Sequence, residues 1–308
     1  MNETAVALTR FIQENRGFIQ RMLRYLYRQK RHRKFAPSKQ KITENMKIVK
    51  RLSLGVLALI VVGAGTGLWI LYGSKTSNPH NYATVGDIPT PLGYERIEGD
   101  DAAYSRYLRS LPLKAKGAKV QLFTGGKASF QSINYAVVDL PLLSNAEQCA
   151  DVCMRLRAEY LFNNAEYRKI HFNNVNGETM LYTGGSSRKA FERYLRNVYD
   201  VASTFSLSRE LKRRRLKDIQ PGDVFVYAAA DRPGKQKYGH AVMVIDVARN
   251  KQGQKAFLLA EGNTPARDIH VMRNLKNPIR SPWFMLDDDA DNLLLAVFHY
   301  KASELRHF

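Results

Sequence analysis

Tyr238–Asn263 reads YGHAVMVIDVARNKQGQKAFLLAEGN, and its reading decides the fold. Two apolar runs, His240–Val247 and Ala256–Glu261, flank a polar stretch, which is the pattern of an antiparallel hairpin. Alternation sets His240, Val242 and Val244 on one face of the first strand. The second strand ends in Glu261-Gly262-Asn263, where its partner begins with His240. Antiparallel pairing therefore sets Glu261 or Asn263 beside the imidazole, able to orient it. A histidine at a strand start is more often structural than catalytic, so the weighing depends on what else the chain brings to it.

The chain has two cysteines, both in Asn145–Ala158, NAEQCADVCMRLRA. The spacing predicts a helix over Asn145–Phe162. Ser144 followed by Glu147 fits a capping box, and Asn145 followed by Gln148 fits one residue later. Val152, Leu156 and Tyr160 recur at helical spacing as a buried stripe, with Cys149 and Cys153 alongside. A disulfide between the two would distort a turn of regular helix, and a metal site has no matching Cys/His pair elsewhere. Cys153 reads as a small apolar core residue. Cys149 differs because a helix N-terminus favours a thiolate over a thiol. With Ser144 as the cap, Cys149 is already one turn in, where that effect has faded; a later start favours the nucleophile. A helical cysteine, a strand histidine and a polar third group, in that order, are the arrangement of papain-like hydrolases.

Charge is unevenly spread. Of the +20 net charge, residues 1–51 hold fourteen Lys/Arg against three Asp/Glu. Arginine-glycine tracts and RNA-binding aromatic motifs are missing, so nucleic acid is not the partner this charge implies. The reason follows at once: Leu52–Tyr72 is 21 residues without a charge, enough to cross a bilayer of ~30 Å. Lys47, Lys50 and Arg51 abut its start, so the positive-inside rule puts the N-terminus in the cytoplasm and the rest outside. From Met46 the chain reads like a signal anchor, and with no small-residue cleavage site after the apolar run the anchor stays uncleaved. The expected organisation is a basic cytoplasmic segment (1–51), a transmembrane anchor (52–73), a polar linker (74–90) and one exoplasmic domain (91–308). A seventeen-residue linker would reach ~55–60 Å when stretched. Within the domain, strands are expected at Lys119–Phe123, Ile133–Val138, Asp223–Tyr227 and Leu293–Tyr300, with helices at Ala102–Ser110 and Lys189–Ala202. Lys212–Arg215 reads as a solvated helix face. The fold class is α+β.

Gln148-Cys149, Gly222-Asp223, Gly239-His240-Ala241-Val242 and Glu261-Gly262-Asn263 resemble the CHAP and NlpC/P60 cysteine amidases of peptidoglycan. More extensively, IPTPLGYERI, LRSLPLK, QCADVCMRLRAEYL, GDVFV, GHAVMVIDVA and PARDIHVM resemble a bacterial family described as domain of unknown function 4846, over roughly Ile88–Tyr300. The amidase resemblance implies a papain-like helix packed on an antiparallel sheet. Cys149 would be the nucleophile, His240 the acid/base, Glu261 or Asn263 the orienting group, and the Cys149 amide with the Gln148 side chain the oxyanion hole. The family pattern carries a glutamine where this chain has Glu261; a carboxylate raises the basicity of an imidazole more than an amide does. His270 belongs to the same pattern and is a rival base. No metal or organic cofactor is implied. The expected partners are membrane lipid and either peptidoglycan or an envelope protein. The competing expectation is a catalytically silent domain on the same scaffold that binds an envelope ligand. A reporter active only outside the cytoplasm, fused after Phe308, is expected to be active; activity of a cytoplasm-only reporter there would reverse the topology.

Overall fold

The computed structural model describes residues 76–308 apart from 233, 235–236, 286–291 and 296–297. The chain divides after Gly65 into two units, and the described residues belong to the second. The basic segment and the apolar run Leu52–Tyr72 therefore lie outside the described residues. Among the described residues, no helix is long and apolar enough to cross a membrane.

The first half contributes β1 (Tyr94–Arg96), α1 (Ala102–Ser110), β2 (Asn134–Val137) and α2 (Cys149–Asn163). A small hairpin, β3 (His171–Asn173) with β4 (Thr179–Leu181), precedes α3 (Arg188–Val201) and α4 (Thr204–Glu210). Then come β5 (Lys212–Arg213), β6 (Val224–Tyr227), β7 (His240–Asn250), β8 (Lys255–Glu261) and β9 (His270–Met272). The C-terminal part holds β10 (Phe284–Met285), β11 (Asn292–Leu294), β12 (His299–Lys301) and β13 (Leu305–His307). Nine strands form one antiparallel sheet in the order β2-β9-β8-β7-β6-β13-β5, with β1 added to β7 and β10 to β8. The architecture is α+β.

The β7–β8 hairpin is the spine. Its apolar run is buried on both faces, and alternation sorts the side chains between two cores. Ala241, Met243 and Ile245 pack with Val152 and Leu156 of α2, whereas Val242 and Val244 pack with Phe225, Leu259 and Tyr300. Beyond Val244 the alternation switches phase, and Val247 joins Val242 and Val244. The cause is a bulge: Val244 pairs with Leu259 but Asp246 with Leu258. The extra residue re-aims the chain and buries Asp246, whose Oδ2 accepts from Arg96 Nε and Oδ1 from Arg109 Nε, both at 2.7 Å.

α2 is buried along most of its length, polar residues included. Arg155 donates to both Glu147 oxygens at 2.8 and 3.0 Å and to the Pro141 carbonyl at 2.7 Å. Arg188 makes a forked contact with Glu159 at 2.6 and 2.7 Å. Burial, with a smaller push from Glu159, raises the Glu147 carboxyl, and Arg155 and the Leu143 amide oppose it. Such pairs are tolerated inside because each charge is satisfied by geometry as well as by sign.

Several expectations are corrected. The described part of the expected polar linker, residues 76–90, packs into the domain: Ser77, Asn78, Val85 and Ile88 are buried, and Asn78 Nδ2 donates to the Tyr82 and Lys114 carbonyls at 2.9 Å. Lys119–Phe123 makes isolated bridges in place of a strand, Gln121 with Lys127 and Leu122 with Arg267. Leu293–Tyr300 is no single strand: β11 and β12 pair with each other outside the main sheet. Lys212–Arg215 is not a helix face. Lys212 and Arg213 form the exposed edge strand β5, and Arg214 turns back onto Asp223 at 2.9 Å. Basic residues on an edge strand deter pairing with another chain.

Asp246→Ala would leave two arginines converging on an apolar pocket. The variant is expected to lose about 3 kcal/mol of stability in urea unfolding, the cost of orphaning a buried charge; a change under about 0.5 kcal/mol would show that the pair is idle.

Candidate active site

α2 starts later than the capping signals suggested. Glu147 cannot serve the Ser144 amide because its carboxylate takes Arg155 and the Leu143 amide, the latter at 2.7 Å. The helix instead begins at Cys149, with Gln148 as an extended N-cap whose amide donates to Asp151 Oδ2 at 2.9 Å. Cys149 is thus the first helical residue. There the dipole is strongest and the amide has no partner within the helix. Burial raises the Asp151 carboxyl to about 7, despite the hydrogen bond from Gln148.

The other half of the site comes from the open end of the hairpin. His240 opens β7 opposite Tyr227, and Glu261 closes β8 opposite His270. Both ends are flanked by glycines that permit close approach. A Cβ on Gly239 would lie 2.6 Å from the Tyr227 carbonyl, and one on Gly262 would lie 2.7 Å from Val152 Cγ2 and 3.3 Å from the Gln148 carbonyl. The missing side chain at 262 is what lets the end of β8 reach the first turn of α2.

Cys149, His240 and Glu261 meet where these ends converge. His240 Nε2 lies 2.7 Å from Glu261 Oε2, leaving Nδ1 for the thiol. Burial opposes charge on His240, but the neighbouring Cys149 sulfur, by charge and hydrogen bond, and then Glu261 raise the imidazole to about 9. Burial likewise pushes Glu261 up, and the two imidazoles beside it, His240 and His270, outweigh it, holding the carboxyl at about 2. Phe298 lies flat on the His240 ring, centroids 3.6 Å apart and planes 18° apart. The dyad is nearly covered: Cys149 keeps 6% of its surface and His240 2%.

Of the two groups expected beside His240, Glu261 is the one in contact. The Asn263 carboxamide oxygen accepts from the Thr264 amide at 2.7 Å. Gln148 stands next to Cys149, its Oε1 accepting from the Thr264 hydroxyl at 2.6 Å, so its amide nitrogen is the end left to donate. His270 is on the far side of Glu261, with Nε2 3.4 Å from Oε1, where the carboxylate separates it from His240. Both cysteines are free thiols. Cys153 is fully buried and its Sγ points to the Cys149 carbonyl at 3.5 Å; burial pushes its thiol well up. Among the described residues, no group of three or more His, Cys, Asp or Glu is arranged to hold a metal ion.

Three neighbours escaped the sequence reading. Asp151 was findable, since it stands three residues after Gln148, the capping-box spacing. Thr264 and Phe298 carry no such signal, because only the folded chain brings them to Gln148 and His240. The hydroxyls of Tyr227 and Tyr300, whose rings pack together at 5.4 Å, are buried without partners.

Gly262→Ala tests the convergence. Overpacking against Val152 is expected to cost about 1–3 kcal/mol and to slow alkylation of Cys149 by iodoacetamide in the folded protein. An unchanged alkylation rate would show that the approach of β8 to α2 does not set the thiol's environment.

The model of one protein family matches residues 86–184 and 182–307. No curated protein matches the chain, and no solved structure does. The matched residues are well over half of the chain, which therefore belongs to the family described as domain of unknown function (4846).

Proposed function

We propose that the domain is a papain-like cysteine hydrolase of amide bonds in the cell envelope, with peptidoglycan peptides as the substrate class. The observation that carries this reading is a cysteine at the first position of a buried helix beside a histidine whose far nitrogen is held by a buried carboxylate. In the proposed reaction the Cys149 sulfur, its proton already on His240 Nδ1, attacks the amide carbon. The oxyanion is met by the Cys149 backbone N–H and the Gln148 amide nitrogen. His240 then protonates the departing amine as the C–N bond breaks, leaving a thioester. Water, deprotonated by His240, attacks that thioester and releases the acid and the free thiol. Glu261 keeps the ring oriented and stabilises its charged form.

Location supports the substrate class. Four residues separate Tyr72, the end of the apolar run, from Ser77, the first buried residue of the domain, a reach of about 18 Å when extended. With the apolar run in a bilayer, the site would work on material close to the membrane: nascent wall or lipid-linked precursors. The near-complete burial of Cys149 favours a second reading, a silent domain that binds an envelope ligand.

The two readings separate in one assay. The full chain in detergent is expected to release new amino groups from purified wall peptides, and Cys149→Ala to abolish release by several orders of magnitude. Because His240 holds its proton up to about pH 9, hydrolysis should fall as pH rises through that value, when the acid that protonates the amine is lost. Alkylation of Cys149 needs no such acid and should not fall there. Identical product traces from wild type and Cys149→Ala would leave the binding domain.

A further inference from the structure

Glu261 is fully buried and touches two imidazoles. His240 takes Oε2; His270 Nε2 faces Oε1 at 3.4 Å, and neither of these last two atoms has a satisfied hydrogen bond. The other nitrogen of His270 decides what that contact means. Nδ1 lies 3.1 Å from the Asp268 backbone carbonyl, which can only accept, so Nδ1 carries a hydrogen. A neutral His270 would then present a lone pair at Nε2 to a carboxylate oxygen, two buried acceptors facing each other. One proton between them removes the conflict. Placed on Glu261, it would cancel the charge that His240 faces at 2.7 Å. Placed on His270, it turns a repulsion into a charge-assisted hydrogen bond.

We infer that His270 is a positioning residue held as an imidazolium, so that Glu261 is gripped from both sides and the site is a row of four groups, Cys149, His240, Glu261 and His270. This rests on the hydrolase reading of the same site. A carboxylate sealed from water is costly unless its charge is met, and a cation on its second side meets it. The surroundings leave the assignment to Glu261. Asp268 turns its carboxylate to Lys114 and the Gln121 amide, at 3.1 and 3.0 Å. Arg267 brings a further cation, but it donates to the Pro265 and Thr264 carbonyls. From α2 the Cys153 thiol, besides Cys149, and from the C-terminal strands the Tyr300 hydroxyl sense the Glu261 charge. Across the sheet, His270 pairs with apolar Val137 of β2.

The role is to fix Glu261 and to share its charge. A carboxylate that also holds His270 pulls less strongly on the His240 proton, so His240 can give that proton up to a leaving amine.

Nitrogen NMR of the full chain in detergent, with ¹⁵N-labelled histidine, tests this without any assay of activity. At pH 7 both ring nitrogens of His270, assigned through contacts with its strand neighbours, should show the imidazolium pattern with two N–H signals. A pyridine-type signal from Nε2 would overturn the proposal even if the protein proves to be a hydrolase. His270→Gln supplies the kinetic arm: it keeps a donor for Glu261 and removes the charge. The alkaline limb of hydrolysis should then move up by about half a pH unit or more, as His240 faces the whole carboxylate charge. In a folded variant, a limb that stays in place while kcat falls would mark His270 as structural and sink the proposal. Absence of hydrolysis in the wild type would remove the reaction and leave the NMR arm to decide the proton.

Discussion

The arrangement of the site depends on one steric allowance: the end of β8 meets the first turn of α2 at a residue without a side chain. Gly262 lies where any Cβ would press on Val152 and the Gln148 carbonyl. That approach sets Glu261 at the depth of the helix N-terminus and leaves His240, one strand over, between the carboxylate and the thiol. Gly239 makes the matching concession at the start of β7, under the Tyr227 carbonyl. Two glycines thus hold two hairpin ends against a helix end, and the polar groups of the site fill the seam.

Away from the seam, the same hairpin carries a different burden. Its bulge buries Asp246 between Arg96 and Arg109 and tethers β1 and α1 to the spine. Along α2, Arg155 joins Glu147 to Glu159, and Arg188 extends the chain of charges to α3. These buried pairs do not make the core more stable than an apolar one would; a half-made pair inside is costly, so they penalise alternative packings. The same Glu147–Arg155 contact removes Glu147 from the helix cap and so brings the helix start forward to Cys149.

The two cysteines show how little separates a core residue from a candidate nucleophile. They are one turn apart on one helix and both are inside. Cys153 faces apolar side chains and its thiol is driven upward by burial. Cys149 has the start of the helix, a histidine and, behind that, a carboxylate. What separates them is whether the thiol sits at the first helical position or one turn further in.

The sequence by itself determined the elements: β7 and β8 from their apolar runs, α1 and α3 to within a residue or two, and α2 from its stripe at Val152, Leu156 and Tyr160. It also named Cys149 and His240, since a helical cysteine and a strand-opening histidine are visible in one dimension. Local patterns carry this much because periodicity follows directly from backbone geometry. Only the tertiary structure decided the rest. Two capping signals, at Ser144 and Asn145, were chemically sound, yet a buried arginine from the next turns claimed Glu147 and passed the cap to Gln148 and Asp151. Glu261 and Asn263 were equal in the sequence, being two residues apart on one strand; the end of β8 leaves the first facing His240 and the second bonded to its own neighbour. Phe298 reaches the site from the far end of the chain, and only the fold set His270 on the side of Glu261 away from His240. Burial, charge pairing and close approach are properties of three-dimensional neighbours, and no local pattern encodes who those neighbours will be.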